Sequence, residues 1–483
     1  MKKCFLKSLM LLSLFLMASV SAQAQAKIVV DDSDKNKINT TVLEMLDQWD
    51  SQTYNTVAAL LIQMRIYDTS ELSAWGEQSL AAMKQAIENG EYKLLLRASG
   101  LTGKFKVVGD KWVKDSDADF LQFTFFDKNN KSCVAKLTST GKKGTINIPI
   151  DPEDLEDAEE ESSYGIVNSV MSKSKEIMQN VTMMEVEVPE SMDFTFTYGD
   201  QTLLESKVIF NECAAVDDGF GILFSANALF NKINGDGSTF EFIINESGYM
   251  PEKGLNLEIT TKKNGNSLLA MKLSAPGTFT GIDLNTLDFG FTRIDISLDV
   301  IGKVQVKGGV TDLTAFMQAM NSGDRKDEQS YKNAIAKANE YLDINLYYDG
   351  SATRKGYFAL DAYQNDRGKW ESRFVITFTS SNKSYDIKEY FSEENFPEVS
   401  AGVNALINEF KALIEAMKNK GVPQINGGDV DGNNVVDADD VVELVNYIAG
   451  NPSPGFVEAQ ADVNNDGVVN ISDLVMLANY VRK

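Results

Sequence analysis

The chain has 483 residues, 43% of them hydrophobic, which is enough to bury a large core and to form two or three domains. Its formal net charge of −24 argues against nucleic acid and an anionic membrane as partners, because both require a cationic face. The absence of histidine excludes Ser-His-Asp and Cys-His nucleophiles and imidazole-based zinc sites, but leaves chemistry based on two carboxylates.

Residues 1–26 are predicted to be a signal peptide. Three lysines precede the apolar run "SLMLLSLFLMASV", and small residues suited to signal-peptidase cleavage follow in "SVSAQAQA". This run is too short for a lasting membrane span, and no other segment reaches about 18 uninterrupted apolar residues. The mature chain is therefore expected to be exported to the periplasm, the cell surface or the extracellular space, with no membrane span.

Residues 27–420 are predicted to form an α+β region of one domain or two subdomains. Apolar residues recur at helical spacing from Ile38 to Trp49, and "VAALLIQMRIY" continues as a buried helix. Further helices are predicted over 311–320, 327–341 and 399–418. Between them, apolar and polar residues alternate as in strands.

Four strand segments resemble one another: 121–141, 194–208, 255–277 and 374–390. Each consists of a strand, an Asn- or Gly-containing turn and a second strand that carries lysine, which predicts a β-hairpin. The predicted fold class is α+β: an extended antiparallel sheet of repeated hairpins with flanking helices, plus a small all-α C-terminal domain.

The cysteines of the mature chain are Cys133 and Cys213. They are compatible with one disulfide in an oxidising compartment, but their place in predicted strands favours small buried apolar side chains.

After a short linker predicted over 421–428, the chain ends in a duplicated acidic loop, each copy followed by an apolar helix. A 12-residue calcium loop places oxygen ligands at positions 1, 3, 5, 7, 9 and 12, with the backbone carbonyl acting at position 7. The first loop places there Asp429, Asp431, Asn433, Val435, Asp437 and Asp440, and the second Asp462, Asn464, Asp466, Val468, Asn470 and Asp473. Since every side-chain ligand position carries Asp or Asn, the sequence predicts two calcium ions.

The helices that follow the loops also align, Val441 with Leu474 and Leu444 with Leu477. Position 12 is Asp in both loops, where an ordinary EF-hand has Glu, and no helix pattern enters the first loop. This arrangement resembles the type I dockerin module and covers Gly427–Lys483, with the domain itself placed at 429–483. The resemblance implies two bound calcium ions and docking onto a cohesin domain, which links secreted proteins that often degrade polysaccharides.

Two features depart from the family pattern. Position 6 of the first loop is Asn434 where Gly is expected, whereas the second loop has Gly467. Positions 10 and 11, often a Ser-Thr pair in the family, are the partner-binding positions that the resemblance implies. Here they read Ala438-Asp439 and Ile471-Ser472. The expected partner is therefore a cohesin-like or other extracellular protein, or the protein's own large region.

Three hypotheses describe residues 27–420. The first is a non-catalytic binding or structural protein in a polysaccharide-related setting. The second is a glycoside-hydrolase-like enzyme that uses two carboxylates, and the third is a carrier of an apolar ligand. The tyrosine-rich segment 341–364 suits glycan stacking if its rings share one open face, but alternation within a sheet explains the same pattern.

Overall fold

The protein is represented by a computed structural model. It describes residues 32–67, 93–95, 102–127, 129–150, 182–216, 219–233, 237–251, 253–277, 290–418, 425–465 and 467–481. The predicted signal peptide and linker residues 421–424 lie outside these ranges. Two compact units divide the chain, one of Met1–Asp50 with Phe242–Asn408 and one of Ser51–Glu241 with Glu409–Lys483. In the described ranges, no helix has the length and apolar character needed to cross a membrane.

The described helices are α1 Ser33–Gln48, α2 Ser51–Gln63, α3 Leu313–Ser322, α4 Glu328–Asn339, α5 Ile387–Tyr390, α6 Pro397–Lys418, α7 Ala438–Ile448 and α8 Ile471–Val481. Short 3₁₀ turns follow α2 at Met64–Ile66 and precede α8 at Glu458–Gln460.

The described strands are β1 Lys93–Leu95, β2 Gly103–Val108, β3 Lys111–Ser116, β4 Leu121–Phe126, β5 Ser132–Thr140, β6 Gly144–Ile150, β7 Thr182–Val188, β8 Ser191–Tyr198, β9 Gln201–Val216, β10 Gly219–Asn231, β11 Thr239–Met250, β12 Gly254–Lys263, β13 Asn266–Ala275, β14 Ile294–Val300, β15 Val304–Val310, β16 Leu342–Tyr348, β17 Gly356–Gln364, β18 Trp370–Phe378 and β19 Lys383–Asp386.

In the first unit, strands β12 to β19 pair in chain order, each antiparallel to the next. Helix α1 packs on β13 and β14, and the α3–α4 pair packs through α4 on β16 to β18. Alternate residues of β14 are buried, as expected for a strand with one covered face. The tyrosine-rich segment follows this rule, because Tyr348 is buried while Tyr357 and Tyr363 lie on the opposite, half-buried face.

The second unit shows that the sheet is mixed rather than wholly antiparallel. Its strand order is β10-β9-β8-β5-β4-β2-β3, and β2 pairs with β4 in parallel. The chain leaves the β2–β3 hairpin and passes the start of β2, where the Gly103 amide donates to the Phe120 carbonyl at 2.8 Å. It then runs along the other edge of β2 in the same direction. A separate sheet, β1-β7-β6, also contains one parallel pair, β1 with β7.

All four hairpin-like segments form antiparallel pairs, β4–β5, β8–β9, β12–β13 and β18–β19. Their turns contain left-handed residues: Asn130 with φ 57°, Gly199 with φ 61°, Asn264 with φ 50° and Asn382 with φ 53°. Asn and Gly enter this region at low cost, which explains why these turns carry them. The sequence prediction of hairpins at these positions is confirmed, except that the last four residues of the fourth segment, Ile387–Tyr390, form helix α5 instead of continuing the strand.

Helix α2 is a central element of the second unit. The Tyr54 ring packs on Phe240 at 5.5 Å between centroids, and the Gln63 amide donates to the Phe126 carbonyl at 3.3 Å. Just beyond the helix, the Trp112 indole donates to the Met64 carbonyl at 3.1 Å. Helix α2 also contacts α7 and α8, so both the sheet and the C-terminal segment cover it.

Cys133 and Cys213 are both free. Burial raises the pKa of the Cys133 thiol to about 12. Cys213 is half-buried, and its thiol donates to the Thr145 carbonyl at 3.4 Å. The expectation of small apolar strand residues therefore fits Cys133 best.

Candidate metal centre

The first C-terminal loop gathers carboxylate oxygens around one point. Ligand atoms of Asp429, Asp431 and Asp440 all lie within 4.8 Å of one another. Asp440 is fully buried, and the Oδ1 atom of Asp429 is buried without a hydrogen-bond partner. Three converging carboxylates, one with an unpartnered buried oxygen, fit a hard divalent cation that prefers oxygen ligands.

Backbone amides hold Asp440 in place. One carboxylate oxygen accepts from the amides of Val430 at 2.7 Å and Asp431 at 3.1 Å, and the other accepts from Asp437 at 2.8 Å. Burial raises the pKa of the Asp440 carboxyl and the Asp431 carboxylate raises it further, while the three amides lower it. A bound cation would favour the ionised carboxylate, as calcium binding requires.

The second loop repeats this hydrogen bonding. Asp473 is fully buried and accepts from the amides of Asn464 at 3.2 Å and Asn470 at 2.9 Å. Asp462 accepts from the Gly467 amide at 2.8 Å, as Asp429 accepts from the Asn434 amide at 3.0 Å. Both loops therefore share one backbone arrangement around positions 1, 6 and 12.

Each loop places one Asn and one Gly in the left-handed region. In the first loop, Gly432 at position 4 has φ 75° and Asn434 at position 6 has φ 67°. In the second, the order is reversed: Asn465 has φ 59° and Gly467 has φ 87°. Asn434 thus adopts the conformation that position 6 requires, at a cost of less than ~1 kcal/mol relative to Gly.

The other predicted ligands of the first loop lie along the same loop, outside the three-carboxylate group. The Asn433 side-chain amide donates to Asp431 Oδ2 at 2.9 Å. The Asp437 carboxylate caps α7 by accepting from the Asp439 amide at 2.9 Å. The Val435 side chain is 54% exposed, as suits a residue that contributes its carbonyl.

In the second loop, the Val468 side chain is 59% exposed, and the Asn470 amide donates to the Val468 carbonyl at 3.2 Å. The oxygen of that amide accepts from the Ser472 backbone at 2.7 Å, so Asn470 caps α8 as Asp437 caps α7. Asp466 lies outside the described residues.

The partner-binding positions implied by the resemblance differ between the copies. Ala438 is half-buried and Asp439 exposed, whereas Ile471 is 0% exposed and Ser472 half-buried. This difference was not predicted from the sequence. Ile471 is buried in a cluster that includes residues of α2, which lies far earlier in the chain.

Residues 427–482 match the family model of the dockerin type I domain, and the N-terminal region matches no family model. No curated protein and no solved structure matches the chain. The C-terminal segment is therefore a dockerin type I domain, as the loop pattern predicted. Such a domain binds calcium and implies calcium-dependent attachment to cohesin partners, and proteins that carry it are typically extracellular or on the cell surface.

Proposed function

We propose that the protein is an exported, non-catalytic binding or structural protein, and that its dockerin domain holds two calcium ions and attaches it to a protein partner. The observation that carries this proposal is the repeated loop geometry. Asp429 and Asp440 in the first loop occupy the same hydrogen-bonded positions as Asp462 and Asp473 in the second. Because the two loops share this hydrogen-bonded arrangement, we expect each of them to hold one ion.

The ligands in this proposal are the twelve loop residues named from the sequence, ten through side chains and Val435 and Val468 through carbonyls. A domain with two short helices buries little surface, so ion binding would supply a large part of its folding free energy. Attachment would then depend on calcium, because the helices that carry the partner-binding positions start within the loops.

The proposed setting is polysaccharide-related, since secreted proteins with dockerin domains often act there, and glycan is a candidate ligand of the large region. The apolar N-terminal segment supports export by a signal peptide. The non-catalytic role rests on a sequence without histidine and without a motif that places a nucleophile beside a base.

The test is binding of the full exported chain to a panel of immobilised type I cohesin domains and surface proteins of the source cell, in calcium and in a chelator. We expect at least one calcium-dependent partner, lost in an Asp429→Ala/Asp462→Ala variant and kept in a control with Asp366→Asn, an exposed carboxylate outside the dockerin domain. Binding that is unchanged by the chelator and by the double substitution would refute calcium-dependent attachment through the dockerin domain. Sugar release from a polysaccharide panel would refute the non-catalytic role.

A further inference from the structure

The two loop–helix copies within the dockerin domain differ in solvent exposure. Positions on the inner faces of α7 and α8 are buried in both copies, including Val441 with Leu474 and Leu444 with Leu477. The neighbouring face of each helix differs in exposure between the two copies. We call the residues at four-residue spacing on this face the outer stripes: Ala438, Val442 and Asn446 in the first copy, and Ile471, Val475 and Asn479 in the second.

The first outer stripe is half-buried throughout. The second outer stripe is buried: Ile471 is 0%, Val475 3% and Asn479 8% exposed. Pairing of α7 with α8 treats both copies alike, so it does not account for the difference. The elements outside the duplication that contact α8 are therefore the ones to consider as a cover for the second outer stripe.

Among the described helices and strands outside the dockerin domain, α8 has its main contacts with helix α2 and the Met64–Ile66 turn. Val57 and Leu60 of α2 share one buried cluster with Ile471 and Val475. At the other end of α2, the Gln52 amide lies so close to Gly450, just after α7, that a Cβ atom there would be 2.5 Å away. Helix α2 therefore extends across both helices of the domain.

The contacts that hold α2 on the sheet are separate from this surface. Tyr54 packs on Phe230 and Phe240, and Gln63 donates to the Phe126 carbonyl. The large region thus has its own means of positioning α2 before the tail arrives. The covered surface is not wholly apolar either, because Asn479 Nδ2 is buried without a hydrogen-bond partner. An unsatisfied amide disfavours a permanent core and would regain water on release.

We infer that α2 is a docking site in cis for the second outer stripe of the dockerin domain, which leaves the first outer stripe as the face open to an external protein. This inference rests on the proposed attachment role and names the surface that performs it. Its consequence is directional attachment: α2 covers the outer stripe of the second copy, whereas the first copy, although α7 also contacts α2, keeps Asp439 exposed and Ala438 and Val442 half-exposed.

The test uses the full chain with a protease site inserted after residue 421. After cleavage in calcium, the tail is expected to co-elute with the large region on size exclusion. An Ile471→Asp variant should release it, with at least a tenfold weaker association. Ala438→Asp, at the equivalent position of the first copy, is the matched control and should leave co-elution unchanged.

Separation of the wild-type fragments would overturn the inference, as would co-elution of the Ile471→Asp tail. Calorimetry on the same samples reports calcium binding separately. A tail that binds calcium but separates refutes cis docking alone, whereas a tail that co-elutes without binding calcium refutes the calcium assignment alone. If Ile471→Asp abolishes calcium binding by unfolding the tail, Ile471→Ala, which copies the residue of the first loop, takes its place and should still weaken association.

Discussion

Substitution of Asp440 tests the first loop most severely. Asp440→Ala removes the acceptor of three backbone amides, those of Val430, Asp431 and Asp437. Hydrogen bonds to a charged group are worth roughly 1.5–3 kcal/mol each, but amides that reach water recover part of that. Val430 is fully buried, whereas Asp431 and Asp437 are half-buried. We therefore expect a loss of about 3 kcal/mol before any calcium ligand is counted.

Amide hydrogen exchange of α7 in saturating calcium measures this loss, because local opening free energies are read directly from protection. A loss of about 3 kcal/mol lowers protection by roughly 100-fold or more. Asp439→Ala is the control, since Asp439 is the adjacent exposed residue on the same helix turn. If the two variants differ by less than about 0.5 kcal/mol, the buried carboxylate does not organise the loop and the argument fails.

Four further predictions follow from particular residues. Asn434→Gly should tighten calcium binding at the first loop by up to about fivefold, because Gly removes a left-handed cost below ~1 kcal/mol, and calorimetry showing weaker binding would contradict this. Acidification from about pH 7 to about pH 5 should weaken calcium binding, since protons compete for the carboxylates and burial raises the pKa of Asp440; an affinity independent of pH would argue against carboxylate ligands. Chelation of calcium should lower the hydrogen-exchange protection of α8 and α2 together, because α8 packs on α2. Unchanged protection of α2 would show that it does not depend on the tail. At about pH 8, maleimide should label Cys213 well before Cys133, whose thiol is buried with a pKa of about 12, as peptide mass spectrometry would show.

Local features of this chain were predictable because short-range chemistry determines them. The Asn and Gly turns predicted the four hairpins, and the spacing of the carboxylates predicted both loops. Asn434 at position 6 adopts a left-handed φ of 67°, a conformation that Asn tolerates better than most residues. These outcomes depend on residues within about a dozen positions of each other.

Long-range features were not predictable. The parallel β2–β4 pair depends on which edge of β2 the chain returns to. The alternation of apolar and polar residues in β4 is the same for either edge, so it does not predict the choice. Ile471 is buried in one cluster with residues of α2, and the apolar run "VAALLIQM" predicts a covered helix without indicating which element covers it. A helix that is buried on several sides has no polar face, so its sequence pattern does not indicate which side faces the sheet and which side faces the tail.

The most direct test of the central claim is calcium titration of the full chain by calorimetry, with Asp429→Ala and Asp462→Ala as single variants. Two ions per chain are expected for the wild type and one for each variant, because each substitution removes position 1 of one loop. No calcium binding, or a stoichiometry that neither substitution changes, would contradict the assignment of both loops as calcium sites.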